Sequence, residues 1–275
     1  MADSPDKPGL QHIPGATTLT LSPTRSSIFA RARLDLFKDT DGTSAAAHFK
    51  LGVQHYNGNG VPQSFAQAAI CFRKAADLGH AEAQYQLATL YDTGTGLSQS
   101  DEQAAHWNRR AADQNHPYAQ AALSFHFYSG AGVPQDYAEA FRWCRRAADH
   151  DLAWAQYHLG LMYRKGEGVD RDDAQAALWY RKAAHQNWPD AQQKLADLYY
   201  SGQGIAQDYT QAAHWYRKAA DQGNAEAQFQ ISHLYSIGLG VTPDYTHARY
   251  WIRKAADQGH LQAQRELKKR EYRDP

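Results

Sequence analysis

The sequence repeats itself every 36 residues, and this period limits the possible folds more than any other feature. An alanine recurs at each step without insertion or deletion, and a leucine or isoleucine follows it four residues later. The alanines are Ala47, Ala83, Ala119, Ala155, Ala191, Ala227 and Ala263. A unit of this length cannot bury both of its faces alone, so successive copies must stack and share a continuous core.

Each copy predicts two helices. In the first helix, residues such as Ala83, Leu87 and Tyr91 recur at a helical spacing and lie on one side. Two glycines, such as Gly94 and Gly96, then end it, because glycine adopts the left-handed C-cap conformation without strain. The second helix begins at an acidic or hydroxyl residue that can cap its free N–H groups. The expected caps are Ser64, Asp101, Asp136, Asp172, Asp208 and Asp244.

The second helix carries a recurrent tryptophan, which we expect to fill the space between neighbouring helix pairs. The positions are Trp107, Trp143, Trp179, Trp215 and Trp251, with Cys71 in the first copy. Paired basic residues such as Arg217 and Lys218 fall in the last turns, where the helix dipole favours cations. The sequence therefore predicts an all-α fold, a right-handed superhelical solenoid of helix-turn-helix repeats.

Two phrases identify a family resemblance: LGLMYRKGEGV at Leu159–Val169 and ALWYRKAA at Ala177–Ala184. They resemble the Sel-one-like repeat family, which is related to the tetratricopeptide repeats, and the resemblance extends from about Ala45 to the C-terminus. It implies an α-solenoid that acts as an adaptor or scaffold for other proteins. Some bacterial members are immunity proteins that neutralise toxins, or secretion-associated factors, and these roles remain the alternative. Members with regularly spaced disulfides have been linked to β-lactam binding, but this chain lacks those cysteines.

The chain divides into three parts. Residues 1–27 are rich in proline, serine, threonine and glycine, and we expect a disordered tail. Residues 28–43 contain an amphipathic segment, IFARARLDLFK, which we expect to cap the first repeat. A membrane-surface helix or a partner-binding peptide is the alternative for this segment. Residues 44–275 form six full repeats and a partial seventh.

Composition limits the classes of partner and compartment. Lys plus Arg equals Asp plus Glu, at 29 each, so the chain lacks the basic excess of a dedicated nucleic-acid binder. No apolar run approaches the length of a membrane span, and the start of the sequence lacks the pattern of a Sec-type signal. We therefore expect a cytoplasmic protein, monomeric when unbound, whose partner is another protein or peptide.

Catalytic and metal-binding signatures are missing from the sequence. Several of the 14 histidines repeat at equivalent positions, for example His80, His116 and His260, which indicates a scaffold role. His126 and His158 lie on adjacent first helices, but no third ligand is apparent, so we expect no metal site. No nucleophile, base and orienting group can be named together. We expect no enzyme activity and no cofactor; a cell-wall hydrolase is the less favoured alternative.

In the tetratricopeptide geometry, which the resemblance implies, the first helices line the concave face. The residues there differ from copy to copy, as recognition of an asymmetric partner requires, whereas packing positions stay the same. The predicted partner-binding residues are Tyr118, Phe125, Tyr128, Trp154, Tyr157, Leu161, Arg164, Lys165, Asp197 and Tyr200, with Ala121, Asp190, Gln193 and Ser201 also mapped to this face. Some of the aromatic residues, especially Tyr157, could instead belong to the core.

Overall fold

The computed structural model describes residues 44–271, and every regular element in this range is an α-helix. In chain order they are α1 (Ala45–Asn57), α2 (Phe65–Asp77), α3 (Ala81–Thr93), α4 (Asp101–Asp113), α5 (Pro117–Ser129), α6 (Tyr137–Asp149), α7 (Ala153–Lys165), α8 (Asp173–His185), α9 (Pro189–Ser201), α10 (Tyr209–Asp221), α11 (Ala225–Ile237), α12 (Tyr245–Asp257) and α13 (Leu261–Glu271). The tail predicted at 1–27 and the cap predicted at 28–43 lie outside the described residues.

The helices form six pairs, α1–α2 to α11–α12, which we number repeats 1 to 6, and α13 begins a seventh. Each helix packs mainly on the helices before and after it in the chain. A glutamine near the start of a first helix ties it to the preceding repeat; in repeat 4, Gln156 Nε2 donates to the carbonyl oxygen of Ala148 at 3.4 Å. The predicted all-α solenoid is confirmed.

The two glycines of each copy have different functions. Gly94 and its equivalents have φ near 70° and follow the last residue of a first helix, as predicted. Gly96 also has positive φ, but it lies against the backbone of the preceding repeat, where a Cβ would sit 2.3 Å from the carbonyl carbon of Phe65. The first glycine therefore ends the helix, and the second glycine permits close contact between repeats.

One predicted helix cap is wrong. The Ser100 hydroxyl accepts a hydrogen bond from the backbone N–H of Gln103 at 3.3 Å, so Ser100 caps α4 and Asp101 is its first residue. Ser100 occupies the same position as Ser64 and Asp136 in the neighbouring copies, 36 residues away on either side. The other predicted caps accept hydrogen bonds from the first turn as expected.

The second helices hold the recurrent tryptophans in the core, where all five are at most 5% exposed. Four of the five rings contact one basic side chain from their own helix and one from the preceding repeat, whereas for Trp215 only Lys218 of its own helix makes such a contact within the described residues. Over Trp179, Lys182 Nζ lies 4.2 Å from the ring centroid and Arg145 Cζ, from the preceding repeat, lies 4.9 Å from it. The paired basic residues therefore contribute cation–π contacts within and between repeats, beyond their expected interaction with the helix dipole.

Candidate partner-binding face

The ten side chains predicted to bind a partner lie on three successive first helices. They are Tyr118, Phe125 and Tyr128 on α5, Trp154, Tyr157, Leu161, Arg164 and Lys165 on α7, and Asp197 and Tyr200 on α9. We call this surface the first-helix face. Phe125 and Lys165 are exposed and the other eight are half-buried. Ala121 and Gln193, which the sequence also mapped here, are buried and present no surface.

The aromatic side chains of α7 form one continuous cluster. The ring centroid of His158 lies 4.2 Å from that of Trp154 and 5.2 Å from that of Tyr157. Tyr157 also reaches Tyr180 at 6.0 Å and Trp188 at 6.4 Å. Trp154 thus contacts one ring and packs against the core of repeats 2 to 4, whereas Tyr157 is held among three rings and belongs largely to the packing.

A pairing rule missed at the sequence level explains these contacts. The residue that precedes each first helix packs on the residue 31 positions earlier. His80 stacks on Phe49 at 4.6 Å, and His260 stacks on Phe229 at 4.7 Å. The same pairing joins His116 to Tyr85 at 4.9 Å and Trp188 to Tyr157. Where the earlier residue is not aromatic, as at Ala121 and Gln193, the later residues are Leu152 and Asn224. The recurrence of aromatic residues 31 positions apart is the feature of the sequence that could have predicted these contacts.

The polar residues of the face connect neighbouring repeats. The Tyr128 hydroxyl donates to Glu167 Oε2 at 3.1 Å, and Lys165 Nζ donates to Glu167 Oε1 at 3.4 Å. Arg164 Nη2 donates to Gln203 Oε1 at 3.1 Å. Glu167 and Gln203 belong to the loops that follow α7 and α9. The structure therefore brings Tyr128 and Lys165 together through Glu167, a residue that sequence reasoning did not select.

Asp197 is occupied by internal contacts. Its carboxylate accepts hydrogen bonds from the Tyr216 hydroxyl at 2.7 Å and from Gln193 Nε2 at 2.6 Å, and Lys194 Nζ lies 3.7 Å away. Burial raises the pKa of the Asp197 carboxyl despite these partners. The main role of this carboxylate is therefore to accept the hydrogen bond from the buried Tyr216 hydroxyl.

The remaining predicted residues occupy the edges of the face. Tyr118 stacks on Tyr85 at 6.0 Å, and Tyr200 meets Tyr209 edge-on at 5.5 Å. Leu161 packs against the core of repeats 4 to 6. Phe125, at 40% exposed, has the largest accessible share among the apolar residues of the set. Phe125 is therefore the most accessible apolar part of the face, and the exposed Lys165 and half-buried Arg164 lie on α7, the next first helix.

The electrostatics of the face differ from those of an acid–base site. Burial lowers the pKa of His158 to about 4, with a smaller contribution from Lys165, so the imidazole is neutral near pH 7. The two histidines considered for a metal have separate surroundings: His158 packs on Trp154, and His126 bonds to Asn108 in the core. Among residues 44–271, no group of three or more His, Cys, Asp or Glu side chains is placed to share a metal ion. In the same range, no helix is long and apolar enough to cross a bilayer.

Known proteins share this architecture. The family model described as Sel1 repeat matches six segments, residues 45–80, 81–116, 117–152, 155–188, 189–224 and 225–260. Each segment coincides with one helix pair and the turn that follows it, except that the fourth match begins at residue 155. No protein in the curated set matches the chain closely enough to count as a relative.

Two solved structures are similar over most of the chain. The first is c5321, a protective antigen of uropathogenic Escherichia coli strains, at 39% identity and a TM-score of 0.78. The match covers 80% of this chain and 47% of the antigen, so this chain spans about half of that protein's length. The second is a Sel1 repeat protein from Oxalobacter formigenes, at 34% identity and a TM-score of 0.68, with 80% of this chain and 88% of that one covered. The chain belongs to the Sel1 repeat family, whose members generally mediate interactions between proteins.

Proposed function

We propose that this protein is an adaptor or scaffold that binds a segment of another protein on its first-helix face, the concave side of the solenoid. The observation that carries this proposal is the contrast in accessibility between two sets of aromatic residues. The tryptophans of the second helices are buried and repeat in five copies, whereas Phe125 and Trp154 keep accessible surface and do not repeat. Aromatic residues and arginine supply most hot spots of protein interfaces.

Variation between copies supports a recognition role for these positions. The residues equivalent to Phe125 are Val53, Thr89, Leu161, Asp197 and His233. They differ in size, polarity and charge although the backbone around them repeats. An interface with an asymmetric partner needs such differences, and the packing of identical helix pairs does not. The first-helix face therefore has the features of a surface shaped for one partner.

The charges of the face indicate the chemistry of that partner. Arg164 bonds to the neutral amide of Gln203, and among the side chains of residues 44–268 no ion pair includes it. Arginine binds carboxylates through paired hydrogen bonds. A partner segment with an apolar side chain over Phe125 and Trp154 and an acidic residue near Arg164 fits this surface. Under this proposal the protein is cytoplasmic, has no enzyme activity and requires no cofactor for binding.

Site-specific photocrosslinking tests the proposal and offers a matched control. A photoreactive phenylalanine analogue replaces Phe125 on the first-helix face or, in the control, Leu178 on α8. These two side chains are equally exposed, at 40% and 41%. In cells, we expect one protein to be captured by the residue 125 variant and not by the residue 178 variant, and Arg164→Glu to abolish that capture. Capture from residue 178 alone would place the partner on the second helices and refute the assignment.

A further inference from the structure

A polar cluster interrupts the apolar core at the joint between repeats 2 and 3. Asn108 on α4 is 1% exposed and His126 on α5 is 4% exposed. At the equivalent joints, the paired side chains are Phe72 with Leu90, Cys144 with Met162, Tyr180 with Leu198, and Tyr216 with Leu234. Burial of an imidazole and an amide costs free energy that an apolar pair avoids. A break in the pattern at this cost points to a role beyond packing.

The ring of His126 is oriented so that its Nε2 points toward Asn108 and Asp92. Its Nδ1 lies 2.9 Å from the carbonyl oxygen of Ala131. A carbonyl oxygen can only accept, so Nδ1 carries a proton, and in the neutral imidazole Nε2 then carries a lone pair. Metal-binding histidines are commonly held in this way, with the second ring nitrogen donating to a backbone carbonyl.

Two groups that can supply an electron pair lie next to His126 Nε2. Asp92 Oδ1 lies 3.6 Å from His126 Nε2. The side-chain amide of Asn108 is 3.2 Å from Nε2, and its buried oxygen has no hydrogen-bond partner in the described part of the chain. Because the nitrogen and oxygen of an amide side chain occupy nearly equivalent positions, a half-turn of this group directs its oxygen to the same point.

The loop beside Asp92 supplies no other partner for its carboxylate. In repeats 3 and 4, Tyr128 and Arg164 occupy the position of Asp92 and bond to side chains 39 residues later, Glu167 and Gln203. The corresponding residue for Asp92 is Ala131, which has no polar side-chain atom. The Asp92 side chain is 36% exposed, which leaves a route for an ion and space for water.

We propose that Asp92, Asn108 and His126 bind a divalent transition-metal ion of the zinc type, with water completing its coordination. Four ligands at about 2.1 Å in a tetrahedron lie about 3.4 Å from one another. The distances from Nε2, 3.2 and 3.6 Å, bracket this value. Two of these ligands, Asp92 and His126, belong to the four residue types that dominate metal sites, which are His, Cys, Asp and Glu. The third ligand is the side-chain amide oxygen of Asn108. This proposal replaces the expectation, drawn from the sequence, that the chain has no metal site.

Binding there would join α3, α4 and α5, since each helix supplies one ligand. The ion would fix the angle between repeats 2 and 3, and α5 carries Tyr118, Phe125 and Tyr128 of the first-helix face. Metal binding would therefore hold one edge of that face in place. The proposal concerns a separate set of atoms and does not depend on the presence of a partner.

Calorimetric titration of the full chain with zinc chloride, after removal of metal with a chelator, tests the site. Surface histidines also bind zinc, so each result is a difference between wild type and variant. We expect one tight site in the wild type that is absent from His126→Leu, a change to the residue found at positions 90 and 198. Asp92→Asn, a conservative change at a partly exposed position, should weaken that site at least about tenfold. Zinc should raise the melting temperature of the wild type and not that of His126→Leu.

His116→Asn is the matched control, because it removes the histidine that caps α5, and Asn224 shows that an asparagine side chain can cap a first helix. This variant should retain the tight site. Cobalt(II) in place of zinc should give a tetrahedral absorption spectrum in the wild type and in His116→Asn, but not in His126→Leu. Equal zinc binding by the wild type and His126→Leu, or no tight site in either, would overturn the proposal and leave the cluster as hydrogen-bonded packing.

Discussion

The second helices and the first-helix face are built from the same repeat, yet they differ in what varies. Trp143, Trp179 and Trp215 occupy one position in successive copies, and each is at most 5% exposed. At one first-helix position, successive copies instead carry Tyr118, Trp154 and Asp190. Stacked identical units require the same contact at every joint, whereas no joint requires a fixed residue at the second position. Variation between copies therefore separates residues that hold the solenoid together from residues free to recognise a partner.

The largest expected effect tests the packing side of this comparison. Trp179→Ala removes a buried ring and its two cation–π contacts, and should lower the free energy of unfolding by about 3–5 kcal/mol. Trp154→Ala removes a half-buried ring in contact with His158, and should cost less than about half as much. Urea denaturation followed by circular dichroism measures both. Equal losses would show that the first-helix face is as structural as the second helices.

A pair of tyrosines sharpens the comparison within the core. Tyr216 donates a hydrogen bond to the Asp197 carboxylate, whereas the buried hydroxyl of Tyr180 has no partner in the described part of the chain, because Leu161 takes the place of Asp197. Tyr216→Phe should lower the free energy of unfolding by about 1.5–3 kcal/mol, and Tyr180→Phe should leave it nearly unchanged. The same denaturation series measures both, and a larger loss for Tyr180→Phe would contradict the hydrogen-bond assignment.

The neutral His158 should make the free energy of unfolding of the protein depend on pH. Its pKa in the folded protein is about 4, below the value of about 6.5 expected in the unfolded chain. Between these values the unfolded chain binds the proton first, so the free energy of unfolding falls as the pH is lowered. The loss should reach roughly 1–3 kcal/mol between pH 7 and pH 4. The measurement is the free energy of unfolding as a function of pH for the wild type and for His158→Gln, and the difference between the two curves isolates the contribution of His158. Parallel curves would refute the assignment of this pH dependence to His158.

The sequence could predict most of the fold because each signal is local and repeats. The spacing of Ala83, Leu87 and Tyr91 and the glycine at position 94 are sufficient to indicate a helix and its end. Ser100 was missed because the adjacent aspartate is an equally good cap by residue type, and only the register distinguishes the two. The role of Gly96 depends on contact with the preceding repeat, which no single copy contains.

The candidate site was less accessible to sequence reasoning. Phe125 and Tyr157 are both aromatic residues on first helices, but Phe125 is exposed and Tyr157 is half-buried. The difference arises because the ring of Trp188, which precedes α9, covers Tyr157. The contacts of Arg164 and Tyr128 run to loops of the next repeat, so these residues also connect repeats. The Asn108–His126 pair could have been found by aligning the copies, since it replaces apolar residues at two equivalent positions.

The most direct test of the division between structural second helices and a partner-binding first-helix face is calorimetry with the partner captured at residue 125. Trp154→Ala and Arg164→Glu should each weaken binding, with more than about 2 kcal/mol lost for the tryptophan. Lys182→Glu is the control, since Lys182 lies over Trp179 on the second helices and its change should cost about 0.5–1 kcal/mol of stability without altering affinity. The account predicts weak binding by the two first-helix variants and wild-type affinity for the control. Wild-type affinity in the first two and loss of binding in Lys182→Glu would contradict it.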